Sequence, residues 1–176
     1  MNFLLEFTSK PKFLRILYIR GTIDRIPCWV QSLTHLFLIE LWWINLPSDE
    51  IYGVLCKLPS LSKIILGRRC CSDDKLVART TFKFPLLNEL FLLPDEGTPQ
   101  VFGFEEGAMP KLENLIMNFQ EKKRILDGIE HLKRLEEVRL HGCKNNVLHS
   151  AVGQLKAVNM SRHRSDRFKI IHSDVQ

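Results

Sequence analysis

Apolar residues recur along this chain in one short pattern, apolar-x-x-apolar-x-apolar. It reads Leu14-x-x-Leu17-x-Ile19, Leu33-x-x-Leu36-x-Leu38, Leu61-x-x-Ile64-x-Leu66, Leu87-x-x-Leu90-x-Leu92, Leu112-x-x-Leu115-x-Met117, Leu135-x-x-Val138-x-Leu140 and Leu155-x-x-Val158-x-Met160. Three residues upstream of each copy lie Pro11, Val30, Leu58, Phe84, Met109, Leu132 and Val152, so that Pro11 is the only position of the whole frame that is not apolar. A chain that is 45% apolar would fill about half of such a frame by chance. The last three pattern positions alternate, and alternation over so short a run predicts a strand with one buried face.

The copies are 19, 28, 26, 25, 23 and 20 residues apart. Self-similarity at this period is the sequence signature of leucine-rich repeats, in which no unit can bury its own apolar face and stacked neighbours share a core. Pro59, Pro85 and Pro110 stand at one offset in three successive units. With φ fixed and no donor, proline suits a turn entering a strand rather than the strand itself. The fold class expected is therefore an α/β solenoid of about seven units, with a curved parallel sheet on the concave face and irregular or short helical segments on the convex side. Ser48 is placed to cap a helix carrying Ile51, Val54, Leu55 and Leu58, and Ile125, Ile129 and Leu132 also recur at helical spacing. Gly21 to Pro27 reads as irregular. The repeat domain spans 11–163, preceded by a stub at 1–10 that reads as a truncated preceding repeat and followed by a basic tail at 164–176.

Strand alternation also selects a candidate surface. The residue between the last two pattern positions points away from the core, and in successive units it is Tyr18, Phe37, Ile65, Phe91, Ile116, Arg139 and Asn159. Tyr18, Phe37, Ile65, Phe91 and Ile116 form a run of large apolar residues on an exposed face, the expected protein-binding site. The plainer alternative is that β-branched and aromatic residues simply favour strands. Lys63, Glu89 and Glu137 in the adjoining column supply a polar rim. Trp42-Trp43 is either packing beneath the long connection to the third unit or an interface anchor.

Composition removes other classes. With 176 residues and 26% charged side chains, the chain is neither disordered nor collagen-like. No apolar run reaches the length of a membrane span, and Glu6 interrupts the apolar patch of the first ten residues. Five cysteines, odd in number and without a Cys-x-x-Cys pair, suggest reduced thiols and a cytoplasmic location. The net charge of +5 comes from the last third, where residues 121–176 hold 12 Lys and Arg against 7 Asp and Glu. The segment Ser161 to Lys169 is either a solvated end face or a nucleic-acid contact, though it lacks the interleaved aromatics of a stacking platform.

Ile23-Asp24-Arg25-Ile26-Pro27, Leu58-Pro59-Ser60-Leu61 and Leu140-His141-Gly142-Cys143 are phrases of a known kind. The chain resembles the leucine-rich-repeat region near the carboxyl end of plant NLR proteins, the nucleotide-binding disease-resistance receptors, most closely those of cereals. The resemblance covers nearly all of the chain. It departs in one respect: the Asn or Cys usual three residues after the last repeat leucine is met only by Cys143, with Thr22, Leu41, Arg69, Asp95, Gln120 and His163 elsewhere. There is no Gly-x-x-x-x-Gly-Lys-Ser/Thr loop, so no nucleotide-binding residue carries over and no cofactor is expected. The resemblance implies a recognition and autoinhibition region whose partner is a protein: a pathogen effector, a guarded host protein, or the nucleotide-binding domain of the parent receptor. Alternatives of other kinds are a substrate-selecting repeat domain of a ubiquitin-ligase adaptor and a nucleic-acid binder using the basic tail.

Catalytic constellations are missing. No His-Glu-x-x-His, Gly-x-Ser-x-Gly or Gly-x-Gly-x-x-Gly occurs, and the expectation is a protein that is not an enzyme. His141, Cys143 and His163 could converge on an ion but lack a fourth ligand, so no metal is expected. Cys70-Cys71 reads as a loop pair, a redox switch only if it is exposed with a depressed pKa.

Overall fold

The computed structural model describes residues 11, 13–95, 98–119, 124–142 and 146–174. Seven parallel strands make the main sheet: β1 (Ile16–Arg20), β2 (Leu38–Trp42), β3 (Lys63–Leu66), β5 (Glu89–Leu92), β7 (Asn114–Asn118), β9 (Glu137–Gly142) and β10 (Lys169–Asp174), adjacent in that order. The strands stand side by side in chain order, each joined to the next by a crossover on the convex side, which is what stacked repeats require, since each unit touches only its neighbours. The inner row Ile39, Ile64, Leu90, Leu115 and Val138 is fully buried. So is the row two residues on, Ile19, Leu41, Leu66, Leu92, Met117 and Leu140.

Backbone hydrogen bonds fix the register independently of side chains. The carbonyl of Arg15 accepts from the amides of Phe37 and Leu38, that of Phe37 from Ser62 and Lys63, that of Ser62 from Asn88 and Glu89, that of Asn88 from Glu113 and Asn114, and that of Glu113 from Glu136 and Glu137. A tight turn precedes the strand in four units, with the amides of Leu36, Leu61, Leu112 and Leu135 donating to the carbonyls of Leu33, Leu58, Met109 and Leu132. Leu36 is thus the equivalent of Leu61, and the second unit reads Leu36-x-x-Ile39-x-Leu41. The expected frame, Leu33-x-x-Leu36-x-Leu38, is three residues too early. Both frames place apolar residues at every position, and only the ladder separates them.

The last unit also differs. Leu155, Val158 and Met160 lie on α2 (Asn146–Ser161), not on a strand, and Met160 is exposed. The seventh strand is β10, inside the segment 164–176 that was expected as a tail, with Ile170 beside Val138 and His172 beside Leu140. Asn159 accordingly leaves the sheet surface. From α2 it grips Phe168, its Nδ2 donating to the Phe168 carbonyl at 2.7 Å and its Oδ1 accepting from the Phe168 amide at 3.0 Å. Arg162 closes the same corner by donating to the carbonyls of Ile129 at 2.7 Å and Leu132 at 3.0 Å. The stub at 1–10 and Cys143 lie outside the described residues.

On the far side of the core a second parallel sheet runs in the order β4 (Lys75–Ala78), β6 (Val101–Phe104) and β8 (Ile125–Asp127). Leu76, Ala78, Phe102 and Phe104 face inward from it and join the single apolar cluster. The convex side was expected to be irregular or helical, so these three strands are a correction to the sequence reading. The helix over Ser48–Leu55 (α1) is present, with Ile51 and Leu55 fully buried. Its amino end is capped from the next unit, Asp73 Oδ2 accepting from the Ser48 amide at 2.8 Å, rather than by the Ser48 side chain. No helix forms over Ile125, Ile129 and Leu132. Gly128, with φ 74°, separates β8 from a short 3₁₀ turn at Ile129–His131.

Between the sheets lies Arg124, the one buried cation among the described residues. Arg124 is 3% exposed and donates from Nε to the Pro99 carbonyl at 3.3 Å, from Nη1 to the Asn118 carbonyl at 3.5 Å, and from Nη2 to the Asp95 carbonyl. Burial works against its charge, and the Asp95 carboxylate opposes that effect.

Candidate interaction surface

Strand alternation and the register together place one column along the outward face of the main sheet: Tyr18, Glu40, Ile65, Phe91, Ile116, Arg139 and Ile171. Neighbours in it are about 4.8 Å apart, the separation of paired strands. Four of the five expected binding residues fall in this column. Phe37 does not: it sits ahead of β2, and Glu40 occupies the place assigned to it. Ile116 is in the column but only 6% exposed, covered between its neighbours, and offers little to a partner.

What is accessible is grouped at the first strands. Tyr18 is 57% exposed, Ile16 45% and Phe37 42%, with Leu38, Ile65 and Phe91 half-buried. Phe37 joins the patch from its edge. There it lines an open groove of about 400 Å³ with Phe13, Arg15, His35 and Ser60, and Phe13 and His35 stack with ring centroids 5.8 Å apart. The sequence reading missed this rim, because Phe13 and His35 stand one residue ahead of the repeat pattern and have no part in it.

Charges on this face are largely spent on each other. Arg20 reaches Glu40 at 3.0 Å, Lys63 reaches Glu89 at 2.7 Å, and Glu137 is shared by Arg139 and Lys169. The Lys63 ammonium also lies 4.5 Å from the centre of the Phe91 ring. Lys63, Glu89 and Glu137 do occupy the adjoining column. Beyond Phe91 the surface turns polar, and Glu113, Glu136, Lys133, Arg134 and Arg167 line a second shallow groove of about 370 Å³.

The cysteine pair is not a loop switch. Cys70 and Cys71 are 3% and 0% exposed. Burial pushes the Cys71 thiol up to about 11 and raises Cys70 as well, so neither holds the thiolate needed for exchange. Native protein treated with iodoacetamide at neutral pH is expected to label at exposed Cys28 and not at Cys70 or Cys71, which become reactive only on unfolding. Peptide mass spectrometry reads this directly, and labelling of Cys70 at the rate of Cys28 would contradict the burial. His163, offered above as a ligand with Cys143, instead contacts Ser165 Oγ at 2.9 Å. Among the described residues no group of three His, Cys, Asp or Glu is placed to hold a metal ion, and no helix is long and apolar enough to cross a membrane.

A sequential parallel sheet and one shared core define a repeat solenoid. The family described as "Leucine-rich repeat region" matches residues 2–165, and the chain belongs to it. Among characterised proteins it is similar to Disease resistance RPP8-like protein 3 of Arabidopsis thaliana, at 27% identity over 154 residues, 87% of this chain and 16% of that protein. It is also similar to two rice proteins (Oryza sativa subsp. japonica), Disease resistance protein Pik-2 at 24% and Disease resistance protein PIK6-NP at 26%. Each of these alignments spans 157 residues, 80% of this chain and 15% of the relative. The chain therefore corresponds to about one sixth of the length of these relatives. The resemblance to the repeat region of plant disease-resistance proteins is borne out.

Proposed function

We propose that this chain is a non-catalytic recognition and autoinhibition module of a plant innate-immunity receptor, acting in the cytoplasm. Its outward sheet face, centred on Tyr18, Ile65 and Phe91, contacts a protein. The observation that carries this reading is the apolar patch on this face, with Ile16, Tyr18 and Phe37 exposed and Ile65 and Phe91 half-buried beside them, flanked by charges that are already paired with each other. Such a patch gains about 25 cal/mol per Å² when covered, and internal ion pairing leaves no strong field to be desolvated. Kinship with disease-resistance proteins supports the biological setting. The partners that fit are a pathogen effector, a guarded host protein, or the nucleotide-binding domain of the parent receptor.

The test uses two variants with the chain expressed in plant cells. Tyr18→Ala and Phe91→Ala are each expected to weaken association with the physiological partner by about 1–3 kcal/mol, read by quantitative co-purification. Each should lower stability by no more than about 1 kcal/mol, because both side chains project from the core. Unchanged association with both variants, at unchanged melting temperature, would remove the sheet face from the interaction.

A further inference from the structure

Trp43 combines a strained backbone with a side chain left substantially in water. Its φ is 58°, a left-handed backbone rarely taken by a bulky residue, yet its side chain is 41% exposed. The conformation is held from the next unit: the Trp43 amide donates to the Arg68 carbonyl at 2.8 Å and the Asn45 amide to the Arg69 carbonyl at 2.9 Å, with Asn45 and Arg69 themselves at φ 53° and 48°. Strain of this kind collects where a side chain is held for contact.

Three arginines, Arg20, Arg68 and Arg69, lie along this edge. Trp42, its centroid 5.5 Å from that of Trp43, lies flat against Gly67, where a Cβ would come within 2.2 Å of the indole. The Trp42 Nε1 donates to Glu40, which also takes Arg20 at 3.0 Å, and the Arg20 guanidinium stands 5.8 Å from the Trp42 centroid. Arg69 reaches Asp95 at 3.4 Å. Among the described residues, Glu40 is thus engaged by Arg20 and Trp42, and Asp95 by Arg69. Arg68, exposed and joined through its carbonyl to the Trp43 amide, stands in no ion pair among the described residues.

We infer that this edge of the sheet is a second contact surface, which takes an acidic peptide segment of a protein with an apolar side chain resting on Trp43 and a carboxylate on Arg68. Tryptophan and arginine together are the side chains that most often dominate protein contacts, and Arg68 can take a carboxylate through two parallel donors. One uncompensated cation suits a peptide carboxylate better than a polyphosphate backbone, which needs several cations at once. The site adjoins the apolar column but does not depend on it.

A displayed random-peptide library, selected on the intact chain and in parallel on Arg68→Glu, tests the inference. Peptides selected on the unaltered chain are expected to be enriched in Asp and Glu next to an apolar residue, and those selected on Arg68→Glu to lose that enrichment. A synthetic copy of the leading peptide should bind Trp43→Gly at least about tenfold more weakly. The same variant should still unfold cooperatively, since glycine relieves the backbone as the packing of the ring is lost. Phe91→Ala should leave peptide binding unchanged, which separates this surface from the column. The inference fails if the selected peptides carry no acidic enrichment, if Arg68→Glu selects the same ones, or if folded Trp43→Gly retains binding. It fails equally if a single-stranded oligonucleotide displaces the peptide, since the surface would then be a phosphate site.

Discussion

Leu115→Asp is expected to abolish cooperative folding. Leu115 is 0% exposed within the inner row, between Leu90 on one side and Val138 on the other. Removing a buried leucine side chain alone costs about 2–5 kcal/mol through lost transfer energy and the cavity left behind. A carboxyl group in its place adds a desolvation cost of several kcal/mol even after it protonates, because the position lies within the apolar core. The sum reaches the whole stability of an ordinary domain, about 5–15 kcal/mol. In a stack whose units touch only their neighbours, the damage spreads to the flanking repeats. Circular dichroism with thermal melting reads the outcome, and Tyr18→Asp is the control on the opposite face. At 57% exposure Tyr18 is expected to cost no more than about 1 kcal/mol. A register wrong by one residue would exchange the two results, since every side chain would change face. A Leu115→Asp melt close to that of the unaltered chain would refute the strand assignment.

How far the fold was legible follows from where the repeat signal is redundant. In the units beginning at Leu61, Leu87, Leu112 and Leu135, a single frame of apolar positions fits, and the structure places each strand there. In the second unit Leu33, Leu36, Leu38, Ile39 and Leu41 fill two frames three residues apart, and composition alone does not choose. Spacing does. The frame from Leu36 turns the intervals of 19 and 28 residues into 22 and 25, close to the 26, 25 and 23 that follow. That evenness was available in the sequence, and it would have put Glu40 rather than Phe37 in the column.

The far end failed for a different reason. Leu155, Val158 and Met160 mimic the repeat because α2 also spaces apolar residues three apart, while the true strand, Lys169–Asp174, carries charges and a histidine that hide its alternation. Strands β4, β6 and β8 are only 3 or 4 residues long, too short for periodicity to announce them. They pair because stacked units bring equivalent convex segments side by side. Of the candidate site, the apolar column was legible from alternation. The Trp43 edge was not, because its character rests on a backbone angle and on which cations are already paired.

Gly128→Ala distinguishes the helical reading of residues 125–132 from the structure by the sign of its effect. If Ile125, Ile129 and Leu132 lay on one face of a helix, alanine at position 128 would stabilise it by about 1 kcal/mol, the ordinary advantage of alanine over glycine in a helix interior. The observed backbone predicts the opposite. Gly128 has φ 74°, and a Cβ added there would lie 2.0 Å from the Phe104 carbonyl oxygen, a backbone atom of β6 that no rotamer change can move. Strain at a positive φ contributes about 1–3 kcal/mol, and relief of the clash must displace either β6 or the turn that buries Ile129 and Leu132. The expected loss is about 2–4 kcal/mol, read as a lower urea midpoint at unchanged slope. A raised midpoint would restore the helix and dissolve the pairing of β8 with β6, since Ile125 and Asp127 could not then remain in register with Val101 and Gly103.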